Sequence, residues 1–454
     1  MASSLLSHLK LWLNRVIQAD GINHQEKQIE KTPVQWQKSR QVLVDDDCEL
    51  WNQEIGSQLA TMLEMAEYSA SSQVLHTDFF LNSVSPFLGY HPKGEKPLPH
   101  IWKSFMTDDH TPVELSWAWS SGDRKAPVVR YSVEPISRAA CRGLDMDNVD
   151  ANVRMLGEAL RIAPDMDLCL HRHFRKALTA SRGSTAGRGQ LDQDASVASA
   201  VPQAQCFIAF DLQDDHVVVK QYYIPNRRSM ELGCDNWRLV RDALLNIPAA
   251  WMPRIDPALS VLTEFIGSFD ADKAPTVEIM AVDCIDPAQS RLKIYCRSRS
   301  TSFDSVVHML ALGGRKPLQA DERSALWDLW MAVFSLTPET YSSAEQGLPE
   351  KGHRTAGLLY YYELKANSSC PKSKVYLPVR HYAQNDDQIA RGLSSFLEAR
   401  GKGFKSGSYY DAVRKLCKNR NLSDGLGFHT YVSWAGDKGK WNITAYFNPQ
   451  SYSI

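Results

Sequence analysis

Cys206-Phe-Ile-Ala-Phe-Asp-Leu-Gln-Asp-Asp-His-Val-Val-Val-Lys-Gln-Tyr-Tyr-Ile-Pro225 holds two extended runs, 206–212 and 217–225, around an Asp-Asp turn. Runs rich in β-branched and aromatic residues on both sides of turn residues predict a β-hairpin. The same grammar recurs at 113–120 with 128–135, 276–285 with 291–297, 358–365 with 374–380, and 428–435 with 441–447. Five hairpins predict ten antiparallel strands. Between them, helical spacing recurs at 147–162, 234–245, 302–312, 320–334, 386–400 and 409–418, after a helical first quarter. Strand pairs and helices returning at intervals of about 70 to 90 residues suggest a degenerate repeat of hairpin plus helices.

Three of the second strands carry a basic residue, a spacer and a tyrosine: Lys220-Gln-Tyr222, Lys293-Ile-Tyr295 and Lys374-Val-Tyr376. A strand's period of two puts each cation and phenol ring on one face. Val219, Leu292, Ile294, Val375 and Leu377 fall on the other. A barrel packed solid would turn the apolar set inward, whereas a barrel wrapped by helices buries that set outside and leaves a polar lumen. The intervening helices favour the second arrangement. The predicted fold class is therefore α+β, a ten-stranded antiparallel β-barrel with a polar lumen inside a ring of helices. We expect one barrel domain over 1–454, with a helical N-terminal region spanning 1–105 and a mobile loop at 181–205, where Gly, Ser, Ala and Gln dominate.

The lumen phase collects Arg130, Lys220, Arg291, Lys293 and Lys374, a cationic ring inside a chain of net charge -1. Buried like charges are costly without a partner, so an anionic ligand explains them; each could instead pair with a carboxylate or reach solvent at a strand end. Tyr222, Tyr295, Tyr376, Tyr431 and Tyr446 could surround an incipient carbocation, although tyrosine is also an ordinary strand residue. Cations beside π-faces suit an oligophosphate leaving group on a carbon that becomes positive. Glu114, in Pro112-Val-Glu-Leu115, could accept a hydrogen bond from an aromatic N–H or O–H, or pair with Arg130.

The near-zero net charge argues against bulk nucleic-acid or acidic-membrane binding. Nine scattered cysteines with no Cys-x-x-Cys pair read as reduced thiols of a cytoplasmic protein. No apolar run reaches the roughly 18 residues of a membrane span. Leu5, Leu6, Leu9, Leu13, Val16 and Ile17 lie near one helical face and predict a docking helix over 3–17. Asp45-Asp-Asp-Cys-Glu49 has the spacing of a magnesium-binding acidic motif, but also the composition of an ordinary helix start. His171-Arg-His173 offers two zinc ligands without a third, which reads as solvated histidines. Gly183-Ser-Thr-Ala-Gly187 lacks the ending of a phosphate loop.

Pro86-Phe-Leu-Gly-Tyr-His-Pro92, Val129-Arg-Tyr-Ser-Val-Glu-Pro135, Lys220-Gln-Tyr-Tyr-Ile-Pro225, Asp286-Pro-Ala-Gln-Ser-Arg-Leu-Lys-Ile-Tyr295 and Leu310-Ala-Leu-Gly-Gly314 follow one another in an order that resembles the fungal dimethylallyltryptophan synthase superfamily of indole and aromatic prenyltransferases. The resemblance covers nearly the whole chain. It implies transfer of a dimethylallyl group from dimethylallyl diphosphate to an indole-containing acceptor in secondary metabolism, in the lumen of a barrel, with no required metal or other cofactor. It also implies a monomer or homodimer. Under it, Arg130, Lys220, Arg291, Lys293 and Lys374 look like diphosphate binders. Tyr222, Tyr295, Tyr376 and Tyr446 look like the shield over the allyl cation, with Tyr431 beside them, and Glu114 like the group that orients the indole. Phe105, Met106, Phe207, Leu359 and Asn442 would line the acceptor or prenyl pocket, with Leu359 limiting the donor to five carbons.

Two positions depart from the family pattern. Phe207 stands where tryptophan C4-prenylating members place a lysine, and Asn442 where many members have a further tyrosine. A phenolic or polycyclic hydroxyaromatic acceptor therefore stays open beside indole. A non-catalytic ligand-binding barrel and a magnesium-dependent terpenoid cyclase using Asp45 and Glu49 are the other readings.

Overall fold

The computed structural model describes residues 45–94, 102–185, 202–252, 254–405 and 407–452. The expected helix at 3–17 and most of the expected mobile loop at 181–205 lie outside them. Ten strands form: β1 (Val113–Ser120), β2 (Val128–Val133), β3 (Cys206–Leu212), β4 (Val217–Tyr223), β5 (Thr276–Asp283), β6 (Arg291–Ser298), β7 (Leu358–Lys365), β8 (Lys372–Leu377), β9 (His429–Asp437) and β10 (Lys440–Phe447). Each pairs antiparallel with its neighbours in sequence, and β1 pairs with β10, Leu115 opposite Phe447, so the barrel closes and no edge strand remains. In the β3–β4 turn the Gln213 N–H donates to the His216 carbonyl at 2.9 Å around Asp214 and Asp215.

Period-two alternation divides each strand between two environments. Val219, Leu292, Ile294, Val375 and Leu377 are buried outside the barrel, where they join the main apolar core. That core lies between the sheet and the surrounding helices, which leaves the lumen to the polar phase. The main helices on this layer are Val149–Ala159, Asn236–Leu245, Phe303–Leu310, Ala320–Phe334, Asp386–Glu398 and Tyr409–Leu416. Their starts are set by side chains that satisfy the first free N–H groups: Asn385 accepts from Gln388 N, and Gln319 and Glu322 form a reciprocal capping box. Among the described residues no helix is long and apolar enough to cross a membrane.

Four helices were not anticipated from sequence: Cys169–Leu178, Asn226–Leu232, Asp256–Ile266 and Val379–Tyr382. The last corrects the expected strand 374–380, which stops at Leu377 because Pro378 has no N–H for the ladder. The turn of helix after it carries Arg380 to one mouth of the barrel. His171 is also corrected: it is buried on Cys169–Leu178, its Nδ1 3.0 Å from the Tyr223 hydroxyl, rather than solvated. Asp45 caps the helix Asp46–Trp51 by accepting from Cys48 N, and it pairs with Arg138, so the acidic run serves a helix start. Every cysteine among the described residues is unpaired.

One glycine marks the closest helix contact. Gly392 sits mid-helix in Asp386–Glu398, and a methyl there would collide with the Ala332 carbonyl on Ala320–Phe334. Helix propensity alone favours alanine by about 1 kcal/mol. Overpacking wins, and Gly392→Ala should destabilise the fold by about 3 kcal/mol in urea unfolding; a variant of unchanged or higher stability would mean that the helices part easily.

Candidate functional site

The lumen holds two cavities separated by a layer of tyrosines. At one end Arg130, Lys220, Arg291, Lys293 and Lys374 converge around a space of about 330 Å³, as their shared strand phase predicts. Three carboxylates that sequence reading did not single out stand among them. Asp211 on β3 lies 3.4 Å from Arg130 and pairs with Lys220; Asp283 on β5 accepts from Lys293 at 3.0 Å and pairs with Arg291; Glu363 on β7 lies 4.0 Å from Arg291. The signal was present, since Asp211 shares its strand phase with Phe207.

Five cations against three carboxylates leave an excess of positive charge. Lys374 is its sharpest expression, 4% exposed, with no carboxylate within 4.0 Å among the described residues. Its amino group donates to Thr444 Oγ1 at 3.3 Å and lies 5.3 Å from the Tyr376 ring centroid. Burial, with Arg130, Lys293 and Lys220 nearby, pushes it well below the usual lysine range. Burial likewise lowers Lys220 to about 8, against the attraction of Asp211. An added polyanion would reverse both shifts. Asn442, which the resemblance places at the acceptor or prenyl pocket, lines this cationic end instead. On β10 it shares its inward phase with Thr444 and Tyr446 and stands two positions from the former.

Above the cations, six tyrosines form a continuous belt. Ring centroids are 6.0 Å apart for Tyr222 and Tyr295, 5.9 Å for Tyr295 and Tyr376, 5.6 Å for Tyr376 and Tyr446, and 6.1 Å for Tyr376 and Tyr431. Tyr361, 5.5 Å from Tyr295, is the member not singled out from sequence. In Tyr360-Tyr361-Tyr362 the phase is unreadable without a partner strand; pairing of Tyr361 with Lys374 turns it inward, while Tyr360 and Tyr362 join the outer core. Burial raises the pKa of Tyr222, Tyr295, Tyr361, Tyr376 and Tyr446, so these phenols are neutral.

Beyond the belt lies an apolar chamber of about 110 Å³, lined by Phe105, Met106, Phe207, Ile279 and Leu359 with Glu114. Phe207 stacks on Tyr222 at 4.3 Å and offers no titratable group. Glu114 is not paired with Arg130; it accepts from Thr430 Oγ1 at 2.6 Å, and burial raises its carboxyl to about 7. Glu134 accepts from Trp102 Nε1, Ser104 Oγ and Phe105 N at 2.7, 2.7 and 2.8 Å, which anchors the segment carrying Phe105 and Met106.

Polar groups from β5, β6 and the helical turn after β8 ring the chamber's mouth. The register of β5 on β6 slips between Val277 and Ile279, and the extra residue joins Glu278 to Ile279 on the lumen side. Arg297 grips Glu278 with two hydrogen bonds, 2.7 and 2.8 Å. Arg380 pairs with Asp108 at 2.8 Å and donates to the Tyr431 hydroxyl at 3.0 Å. Asp108, His353 and His381 bring three metal-ligand atoms within 4.8 Å of one another. Their donors are engaged, Asp108 with Arg380 and both histidines with Thr355 Oγ1 at 2.8 and 2.7 Å. Burial and Arg380 lower His381 to about 3, and the neighbouring arginines oppose an added cation.

A cationic end, an aromatic belt and an apolar chamber thus lie in series along the lumen, in a chain whose sequence and fold are similar to those of known proteins. The sequence profile of the tryptophan dimethylallyltransferase family matches residues 47–412. The chain is 46% identical over 404 residues to 4-O-dimethylallyl-L-tyrosine synthase of Claviceps purpurea, covering 88% of each chain. It is 30% identical over 414 residues to 7-dimethylallyltryptophan synthase of Aspergillus fumigatus, covering 89% of this chain and 85% of that one. The crystal structure of AnaPT from Neosartorya fischeri shares the barrel with a TM-score of 0.74 at 23% identity, over 91% of this chain and 97% of that one. With most of its length matched, the chain belongs to the tryptophan dimethylallyltransferase family of fungal aromatic prenyltransferases.

Proposed function

We propose that the protein transfers a dimethylallyl group from dimethylallyl diphosphate to the phenolic oxygen of a small tyrosine-like acceptor, without a metal ion. The observation that carries this reading is the order of the three layers along the lumen: surplus cations, neutral phenol rings, then a buried carboxylate facing an apolar chamber. Arg130, Lys220, Arg291, Lys293 and Lys374 take the diphosphate, and fixed positive charge stabilises it as the donor's C1–O bond breaks and the electron pair leaves with oxygen. The tyrosine belt faces the resulting allyl cation with π-electrons and keeps water away. The acceptor oxygen attacks C1, a C–O bond forms, and the phenolic proton passes to Glu114.

Glu114 can serve a phenolic acceptor as its base. Of the two carboxylates that line the chamber, Glu278 is taken by Arg297, whereas Glu114, near 7, is suited to accept a proton at neutral pH. The 46% identical tyrosine synthase and the small chamber support the same acceptor class. Indole is the second reading, favoured by the 30% identical tryptophan synthase; there Glu114 would accept the indole N–H.

Incubation with dimethylallyl diphosphate, EDTA and either L-tyrosine or L-tryptophan, followed by mass spectrometry, tests this. We expect an O-prenylated tyrosine formed equally with and without EDTA. Prenylated tryptophan alone would overturn the acceptor, loss of product in EDTA would overturn metal independence, and no product with either would overturn the reading.

A further inference from the structure

Arg297 and Arg380 line the chamber and Arg354 stands against its wall residue Phe105; two of these three guanidinium groups are already neutralised. Arg297 is held by Glu278 through two hydrogen bonds and Arg380 by Asp108. Arg354 has no carboxylate within 4.0 Å among the described residues. It is half-buried, and its guanidinium lies 4.9 Å from the ring centroid of Phe105, a wall of the chamber. Burial pushes its pKa below the ordinary arginine value despite the attraction of Glu278, the signature of a desolvated cation that lacks a close anion.

The loop presents Arg354 rigidly. The carbonyl of Thr355 accepts from Arg297 Nη1 at 2.9 Å, the Thr355 hydroxyl lies 2.7 Å from His381 Nε2, and the carbonyl of His353 accepts from Arg299 Nη1 at 3.1 Å. Just beyond, Gly357 N donates to the Tyr382 hydroxyl at 2.7 Å. Both flanks of Arg354 are therefore pinned by β6 and by the turn after β8, so little ordering entropy is lost when a ligand arrives. A planar guanidinium held in this way matches a carboxylate, which it can engage through two parallel hydrogen bonds.

We propose that Arg354 recognises a carboxylate on the acceptor, so that the enzyme takes a free aromatic amino acid and discriminates against amines and amides of the same ring. This rests on the prenyl-acceptor role proposed for the chamber. Arg354 acts here in binding and specificity and takes no part in bond making, because the reacting oxygen belongs at Glu114 on the chamber wall. Stacking over Phe105 with no ligand contact is the competing role, and it predicts no dependence on the acceptor's carboxylate.

Steady-state kinetics of the wild type and of R354Q and R354K, with L-tyrosine against tyramine and L-tyrosine amide, separates the two. We expect the wild type to prefer L-tyrosine to tyramine by about 100-fold in kcat/KM, the scale of a charge-assisted pair. R354Q should raise KM for L-tyrosine by a similar factor with little change in kcat, leave tyramine unaffected, and be partly rescued in R354K. Equal use of tyrosine and tyramine by the wild type, or equal losses on both in R354Q, would overturn the proposal. Should tryptophan be the acceptor instead, the tryptophan and tryptamine pair carries the same comparison, so failure of the phenol reading is told apart from failure of Arg354. Turnover of neither amino acid would overturn both.

Discussion

Glu114→Gln should lower kcat by about 1000-fold while leaving the affinity for dimethylallyl diphosphate nearly unchanged. Glutamine keeps an oxygen to accept from Thr430 Oγ1, so the chamber's geometry survives and only the ability to take a proton is lost. The pH profile sharpens the test. Burial holds Glu114 near 7, and the base is its ionised form, so kcat of the wild type should rise with pH through about 7 and level off above it. In Glu114→Gln that limb should vanish. A variant that keeps most of its kcat, or keeps the limb, would assign the proton to another group.

The second large effect concerns the donor. Lys374→Met should lower kcat/KM for dimethylallyl diphosphate by about 100-fold to 1000-fold, the range for removing one preorganised charge from a leaving group. The same change should raise the melting temperature of the ligand-free protein. Methionine fills similar volume, and the variant no longer buries an amino group that lacks a carboxylate. The sign depends on pH in a defined way. A lysine whose folded pKa is depressed binds its proton more weakly in the fold than in the unfolded chain, which favours unfolding below the ordinary lysine pKa. The stabilisation in Lys374→Met should therefore be largest at low pH and shrink as pH rises toward the ordinary lysine range, where the unfolded chain also loses the proton. Donor binding has its own linkage: Lys220, near 8, must be protonated, so affinity for the diphosphate should fall as pH rises through 8. A Lys374→Met variant with unchanged donor kinetics would remove that residue from the diphosphate site.

Much of this molecule was legible because strands obey local rules. Two-residue periodicity needs no partner to be read, so the inward phase of Lys220 with Tyr222, Lys293 with Tyr295 and Lys374 with Tyr376 follows from spacing, and turn residues between extended runs announce each hairpin. The five cations and Glu114 occupy the lumen as that phase requires. The helix Cys169–Leu178 was hidden because His171-Arg-His173 reads as a solvated stretch, and the helix Val379–Tyr382 because the extended run before it reads on to 380.

What only the tertiary structure decided is which inward residues meet and what each then is. Tyr361 in a run of three tyrosines takes its face from its pairing with Lys374, and Glu278 enters the lumen because a bulge against β6 interrupts alternation. Asp211 and Asp283 contact four of the five cations, two each, and leave Lys374 without a carboxylate within 4.0 Å among the described residues. Arg297, Arg354 and Arg380 arrive at one mouth from β6, from the loop before β7 and from the turn after β8, yet only Arg354 lacks a close acidic partner among the described residues. The sequence by itself determined most of the strands and faces and the family pattern, since these depend on neighbours a few residues apart. Barrel closure and loop packing decided the charge balance, because an ion pair or a vacant guanidinium is a property of groups far apart in the chain brought within a few ångströms in a medium of low dielectric.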